Sequence, residues 1–95
     1  MGHAKPEELK DLQDTLNQVR TWAGIKERST NVFYYKSQPF LHFHTKAEQR
    51  WADIRDGESW GTPVFLPLKL SKADLRQFVK TVELRYQNLA KGKLR

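Results

Sequence analysis

Two histidines, His42 and His44, have the spacing that could most directly support chemistry. They alternate along a predicted β-strand, so both imidazoles would point to one face, where Asp53 of a neighbouring strand could join them. Two imidazoles and a carboxylate are a ligand set that suits a zinc or nickel ion. Histidines that hydrogen-bond or stack on nearby aromatic rings are the simpler interpretation of the same pattern. We therefore expect no bound metal, with His42, His44 and Asp53 as the alternative metal set.

Catalysis by a nucleophile would need that group, a base and an orienting group held together. The chain has no cysteine, and three serines in predicted turns, Ser29, Ser37 and Ser59, lack a flanking pattern such as Gly-x-Ser-x-Gly. No glycine-rich loop precedes a helix to hold a phosphate group. We expect a protein that is not an enzyme and that holds no cofactor.

Positive charge is unevenly distributed along the chain. The 95 residues carry a net charge of +6, and residues 50–95 hold 10 of the 17 basic side chains but only 5 of the 11 acidic ones. Lys72, Arg76 and Lys80 recur every four residues and would form a row beside the apolar stripe of a helix. Such a row could follow the phosphates of a nucleic acid. The predicted phosphate-contacting residues are Lys69, Lys72, Arg76, Lys80, Lys91, Lys93 and Arg95, with a possible second patch of Arg50, Trp51 and Arg55.

An ordinary solvated helix face would carry a similar row of charges, and Asp74 and Glu83 dilute it. No groove-reading motif is present, so sequence-specific recognition is not expected. Leu84 lies opposite the apolar stripe, which leaves a protein-interaction module without nucleic-acid binding as the alternative function. The expected partner is DNA or another polyanion, and we expect the chain to be a monomer or a weak homodimer.

The elements that would position these side chains follow from the spacing of apolar residues. Spacings of three and four predict a helix from Pro6 to Ala23, ended by Gly24. Ser71, as N-cap, predicts the start of a second helix whose apolar stripe runs from Leu75 to Leu89. Between them, short aromatic and β-branched segments predict four or five antiparallel strands: Val32–Tyr35, Phe40–His44, Arg50–Arg55, Thr62–Leu66 and, more weakly, Ile25–Arg28.

This order predicts one α+β domain over residues 1–95, with residues 1–5 and 91–95 as disordered tails. Both helices would pack on one face of the sheet, whose core residues would be Leu41, Phe43, Ala52 and Ile54. Alternation along the strands places the others on an open face: Phe40, His42, His44, Trp51, Asp53 and Arg55. The chain has no run of about 18 apolar residues and no apolar leader, so we expect a cytoplasmic protein that does not cross a membrane.

Three stretches resemble the small bacterial MmcQ/YjbR-like domains. They are Trp22 to Glu27, the aromatic hairpin from Val32 to Phe43, and Val82 to Leu89. The resemblance implies an α+β fold in which helices enclose an antiparallel sheet, and the DNA-binding role that is proposed for some members of that family. The related YdhG-like domains are the rival assignment. The matching positions are aromatic and aliphatic and include no catalytic motif, so no site residue is carried over.

Overall fold

The structure is a computed structural model that describes residues 4–93 and the side chains of residues 4–91. It has the predicted α+β order of an N-terminal helical segment, an antiparallel sheet and a C-terminal helix. The elements in chain order are a 3₁₀ helix Pro6–Leu12, α1 Gln13–Val19, β1 Ile25–Ser29, β2 Val32–Tyr35, β3 Gln38–Lys46, β4 Gln49–Asp56, β5 Ser59–Trp60, β6 Val64–Phe65 and α2 Lys72–Lys93. No helix among the described residues is long and apolar enough to span a bilayer.

The N-terminal helix is less regular than the prediction of one helix from Pro6 to Ala23. Its first two turns are 3₁₀, and Leu9 interrupts them with φ −120° and ψ 16°. The predicted apolar stripe is nevertheless in place, because Leu9, Leu12, Leu16 and Val19 are all fully buried. A stripe of spacings of three and four fits 3.0 and 3.6 residues per turn almost equally well over a segment this short, so periodicity did not reveal the 3₁₀ turns.

Helix α1 ends at Val19, four residues before the predicted end. The N–H groups of Thr21 and Trp22 bond to carbonyl oxygens three residues earlier, at 3.0 and 3.1 Å, which tightens the chain into a turn. Gly24 has a φ of +83°, the left-handed conformation that often ends a helix, but it takes this conformation in the turn that leads into β1.

Six strands form one antiparallel sheet in the order β1, β2, β3, β4, β5, and β6 also pairs with β4. Five of them match the predicted segments. The two-residue strand β5 is not among the predicted segments, because Asp56-Gly57-Glu58-Ser59 is by its composition a strong turn signal. That turn is present, with Gly57 at a φ of +72°, but Ser59 already pairs with Asp56 across it.

One face of the sheet contributes to a hydrophobic cluster that also includes the apolar stripes of both helices. Leu41, Phe43, Ala52 and Ile54 are at most 1% exposed, which confirms the predicted core face of β3 and β4. The rings of Phe43 and Phe78 of α2 lie 6.0 Å apart between centroids. Because Phe43 and Ile54 face the core, the side chains that alternate with them along β3 and β4 lie on the opposite face.

Phe40 lies in the core, and its predicted place on the open face is wrong. It is fully buried, with its ring edge-on to Tyr86 of α2 at 6.2 Å. The pairing of β2 with β3 shifts at this point, since Phe33 pairs with Leu41 whereas Tyr34 pairs with Pro39. Phe40 is the extra residue of this bulge, and a bulge interrupts the alternation on which the prediction depended.

The start of α2 is as predicted. The Asp74 N–H donates to Ser71 Oγ at 3.0 Å and the Ser71 N–H donates to Asp74 Oδ2 at 3.2 Å, which together form a capping box. The helix continues to Lys93, so residues 91–93 of the predicted C-terminal tail are helical. In the predicted N-terminal tail, the Ala4 N–H donates to Phe43 O at 2.9 Å. Residues 1–3 and 94–95 of these tails lie outside the described residues.

Candidate nucleic-acid interface

Four of the predicted phosphate-contacting residues lie on the outer face of α2, and we call them the α2 row: Lys72, Arg76, Lys80 and Lys91. All four are exposed, as is Lys69 just before the helix. Each step from Lys72 to Arg76 to Lys80 advances about 6 Å along the axis. Within the part of the chain that the structure describes, no member of the α2 row takes part in an ion pair or side-chain hydrogen bond.

The α2 row faces outward because the opposite side of the helix is fixed in the core. Phe78, Val82 and Leu89 are at most 3% exposed. Two polar contacts hold the rotation of the helix: Arg85 Nη1 donates to the carbonyl of Ile54 at 3.1 Å, and the Tyr86 hydroxyl donates to that of Ala23 at 2.7 Å. At 3.6 residues per turn these contacts leave the row on the solvent side.

A shallow groove of about 430 Å³ runs between α1 and α2, beside the row. Leu75 and Val79 give it apolar walls, and Arg76 and Lys80 lie along it. Asp14 of α1 and Glu83 of α2 line the same groove, so its charge is mixed.

Arg50 does not belong to a phosphate-contacting surface, and its predicted place in the second patch is wrong. Its side chain is 2% exposed and forms an ion pair with Asp11, through Nη1 at 2.8 Å and Nη2 at 3.0 Å. The same two nitrogens donate to the carbonyl oxygens of Glu8 at 2.8 Å and Pro67 at 2.7 Å. Arg50 therefore joins the N-terminal helix, β4 and the segment after β6.

Arg20 is likewise occupied within the fold. Its Nε and Nη2 atoms bond to the two carboxylate oxygens of Glu27 at 2.8 and 2.9 Å. The hydrogen bond to Arg20 holds the pKa of Glu27 below its ordinary value, and the same bond raises the pKa of Arg20. The guanidinium of Arg20 is thus neutralised by a carboxylate, in contrast to the α2 row.

Trp51 and Arg55, the other members of the predicted second patch, both lie on the open face of the sheet. Trp51 stacks on His44 with ring centroids 5.4 Å apart. The guanidinium of Arg55 lies 5.0 Å from the ring centroid of Trp60, and its Nε donates to Pro39 O at 2.6 Å. Trp51 and Arg55 therefore share this face, whereas Arg50 does not, and the second patch stays a prediction.

The alternative metal set is not assembled in the structure. His44 Nε2 and Asp53 Oδ2 lie 2.9 Å apart and contact each other, while His42 lies against the rings of Tyr34 and Trp60. No group of three or more histidine, cysteine, aspartate or glutamate residues among the described residues could hold a metal ion.

Sequence reasoning missed several residues of the open face, including Tyr34, Trp60 and Phe65. Trp60 reaches this face through the unpredicted strand β5, and its ring lies 5.3 Å from that of His42. Phe65 lies 5.9 Å from Trp51 because β6 pairs with the start of β4. Only the pairing of strands could have shown this, since no local pattern links these residues. The side chain of Lys93 and all of Arg95 lie outside the described residues.

Comparison of the chain with protein families, with curated proteins and with solved structures gives no match. The resemblance to the MmcQ/YjbR-like domains therefore stays a prediction.

Proposed function

We propose that this protein binds nucleic acid through its backbone phosphates, without catalysing a reaction, as a monomer or weak homodimer. The contacts come from the α2 row and from Lys69 at the start of the helix. DNA is the expected ligand, and binding does not depend on base sequence, since side chains that touch only phosphates carry no sequence information.

The observation that carries this proposal is that some positive side chains of this fold form ion pairs and those of the α2 row do not. Arg20 and Arg50 each hold a carboxylate at 3.0 Å or less. The α2 row, by contrast, is exposed and has no acidic partner within the described residues. A row of cations without ion-pair partners attracts anions and raises their local concentration.

The dimensions of the row suit a polyanion. Lys72 and Lys91 are separated by about 28 Å along a helix that rises 1.5 Å per residue. Double-stranded DNA presents one negative charge per about 1.7 Å of its axis, so phosphates are dense enough for every cation of the row to find one. A small anion could use only one or two of these side chains.

We also infer that both helices cover the same face of the sheet, which leaves the α2 row and the open face on opposite sides of the molecule. This is supported by the cluster that unites the helical stripes with Leu41, Phe43, Ala52 and Ile54. It is supported as well by the groove between α1 and α2, which requires the two helices to lie side by side.

Titration with DNA at two salt concentrations tests the proposal. With five phosphate contacts, the logarithm of the binding constant falls with a slope of about −4.5 against the logarithm of salt concentration. Raising salt from about 50 to about 200 mM should then weaken binding about 500-fold for duplex DNA of any sequence. Weak affinity that stays unchanged across this range would contradict the proposal.

A further inference from the structure

Six aromatic rings lie on the open face of the sheet, and each contacts at least one ring from another strand. We call them the aromatic face: Tyr34, His42, His44, Trp51, Trp60 and Phe65. They form two connected groups. In one, His42 lies between Tyr34 at 6.2 Å and Trp60 at 5.3 Å. In the other, Trp51 lies between His44 at 5.4 Å and Phe65 at 5.9 Å.

Two of these rings remain open to solvent. Trp60 is 43% exposed and Phe65 is 64% exposed, while the other four are partly buried by their neighbours. Moving a large apolar ring out of water is energetically favourable. Two exposed rings beside an ordered array of rings are therefore suited to a flat, aromatic ligand.

The aromatic face is bordered by positive charge. The guanidinium of Arg28 lies 4.9 Å from the ring centroid of Tyr34, and that of Arg55 lies 5.0 Å from that of Trp60. The carboxylate of Asp53, which is on the same face, is held by His44 at 2.9 Å. A ligand on this face thus meets rings flanked by guanidinium groups, which favours a polyanion that carries aromatic rings.

We propose that the aromatic face binds unpaired bases of a single-stranded nucleic acid, with bases stacked on Trp60 and Phe65 and phosphates beside Arg28 and Arg55. Bases inside a duplex are stacked on each other and cannot reach these rings, so the ligand class is single-stranded. The inference rests on the proposed function for the nature of the ligand, but it names a second site, on the side of the molecule opposite to the α2 row.

Two single-stranded oligonucleotide ligands of equal charge distinguish base stacking from phosphate binding. One is a short oligothymidylate, and the other is a strand of the same length with the same phosphates but no bases. We expect the protein to bind the oligothymidylate roughly 5- to 160-fold more tightly, the range that one stacked base provides. The unmodified chain can be used when binding is read from the anisotropy of labelled strands.

Tryptophan fluorescence gives an independent readout of the same site. The chain has three tryptophans, of which Trp22 packs against Tyr86 with ring centroids 4.7 Å apart. In a Trp22→Phe variant the remaining indoles both belong to the aromatic face. The oligothymidylate should quench their emission and the base-free strand should not.

Phe65→Ala is the variant that removes a stacking ring, and Leu84→Ala is its matched control. Phe65 and Leu84 are 64% and 58% exposed, so both substitutions should leave the fold intact. Leu84 lies on α2, away from the aromatic face, and its loss should not affect stacking. We expect Phe65→Ala to reduce the preference for the oligothymidylate to less than a third of its original value, and Leu84→Ala to leave it unchanged.

The outcomes distinguish the inference from the proposed function. Equal, salt-dependent affinity for both strands, with no quenching, would overturn the inference and leave phosphate binding in place. Binding to neither strand nor to duplex DNA would overturn both. If Phe65→Ala instead turned a dimer into a monomer and left the preference intact, the aromatic face would be a contact between two copies and the inference would be wrong.

Discussion

Reversing two charges of the α2 row, with Arg76→Glu and Lys80→Glu together, should weaken binding to duplex DNA about 200-fold at about 50 mM salt. The estimate follows from counterion release, which at this salt concentration contributes about 15-fold per phosphate contact. The slope of the salt dependence should become less steep by about 1.8. The measurement is a titration of labelled duplex at several salt concentrations.

The matched control is Lys10→Glu with Lys36→Glu, which lowers the net charge by the same amount. Lys10 lies in the 3₁₀ helix and Lys36 in the turn after β2, and both are exposed. If binding depends on the α2 row, this control should keep most of its affinity and the steep slope. Equal losses in the two double variants would show that net charge alone governs binding, and would contradict the assignment of the row.

Arg50→Met should destabilise the fold by about 3 kcal/mol, because breaking a buried ion pair by removing one partner costs about 3–5 kcal/mol. Asp11 is partly exposed, with 39% of its side chain accessible, which places the expected cost at the lower end. Methionine keeps the volume of the apolar stem but leaves the carbonyl oxygens of Glu8 and Pro67 without their donor. Urea denaturation measures the loss as a lower midpoint.

Comparing Arg76→Met with Arg50→Met distinguishes an arginine that binds DNA from one that stabilises the fold. Arg76 is exposed and has no partner among the described residues, so its replacement should change stability by no more than about 0.5 kcal/mol. It should reduce DNA affinity about 15-fold at about 50 mM salt, whereas folded Arg50→Met should bind as the unmodified chain does. The reverse result for the two variants would contradict the division of the arginines.

Much of the fold could be predicted because its signals are local. Ser71 and Asp74 form the capping box within one turn, and the alternation of Leu41 and Phe43 is set within one strand. Arg50 shows the limit of this reasoning. Alternation already puts it on the core face with Ala52 and Ile54, but its partner Asp11 lies 39 residues away in the chain, and no local pattern pairs them.

The candidate surfaces differ in the same way. The α2 row could be predicted, since a spacing of four residues beside an apolar stripe is enough to place Lys72, Arg76 and Lys80 on one side of a helix. The aromatic face could be predicted only in part. Alternation predicts Phe40 on this side of the sheet, but a bulge places it in the core, and Trp60 lies on this side because of a strand of two residues. Bulges and short edge pairings depend on contacts between distant strands.

Amide chemical shifts recorded during titration with a short duplex DNA at about 50 mM salt test the central claim most directly. Binding through the α2 row should shift the amides along residues 69–91, most strongly near Arg76 and Lys80, and about 200 mM salt should reverse the shifts. Unchanged spectra, or shifts confined to the β1–β2 hairpin at the other end of the sheet order, would contradict phosphate binding by this helix.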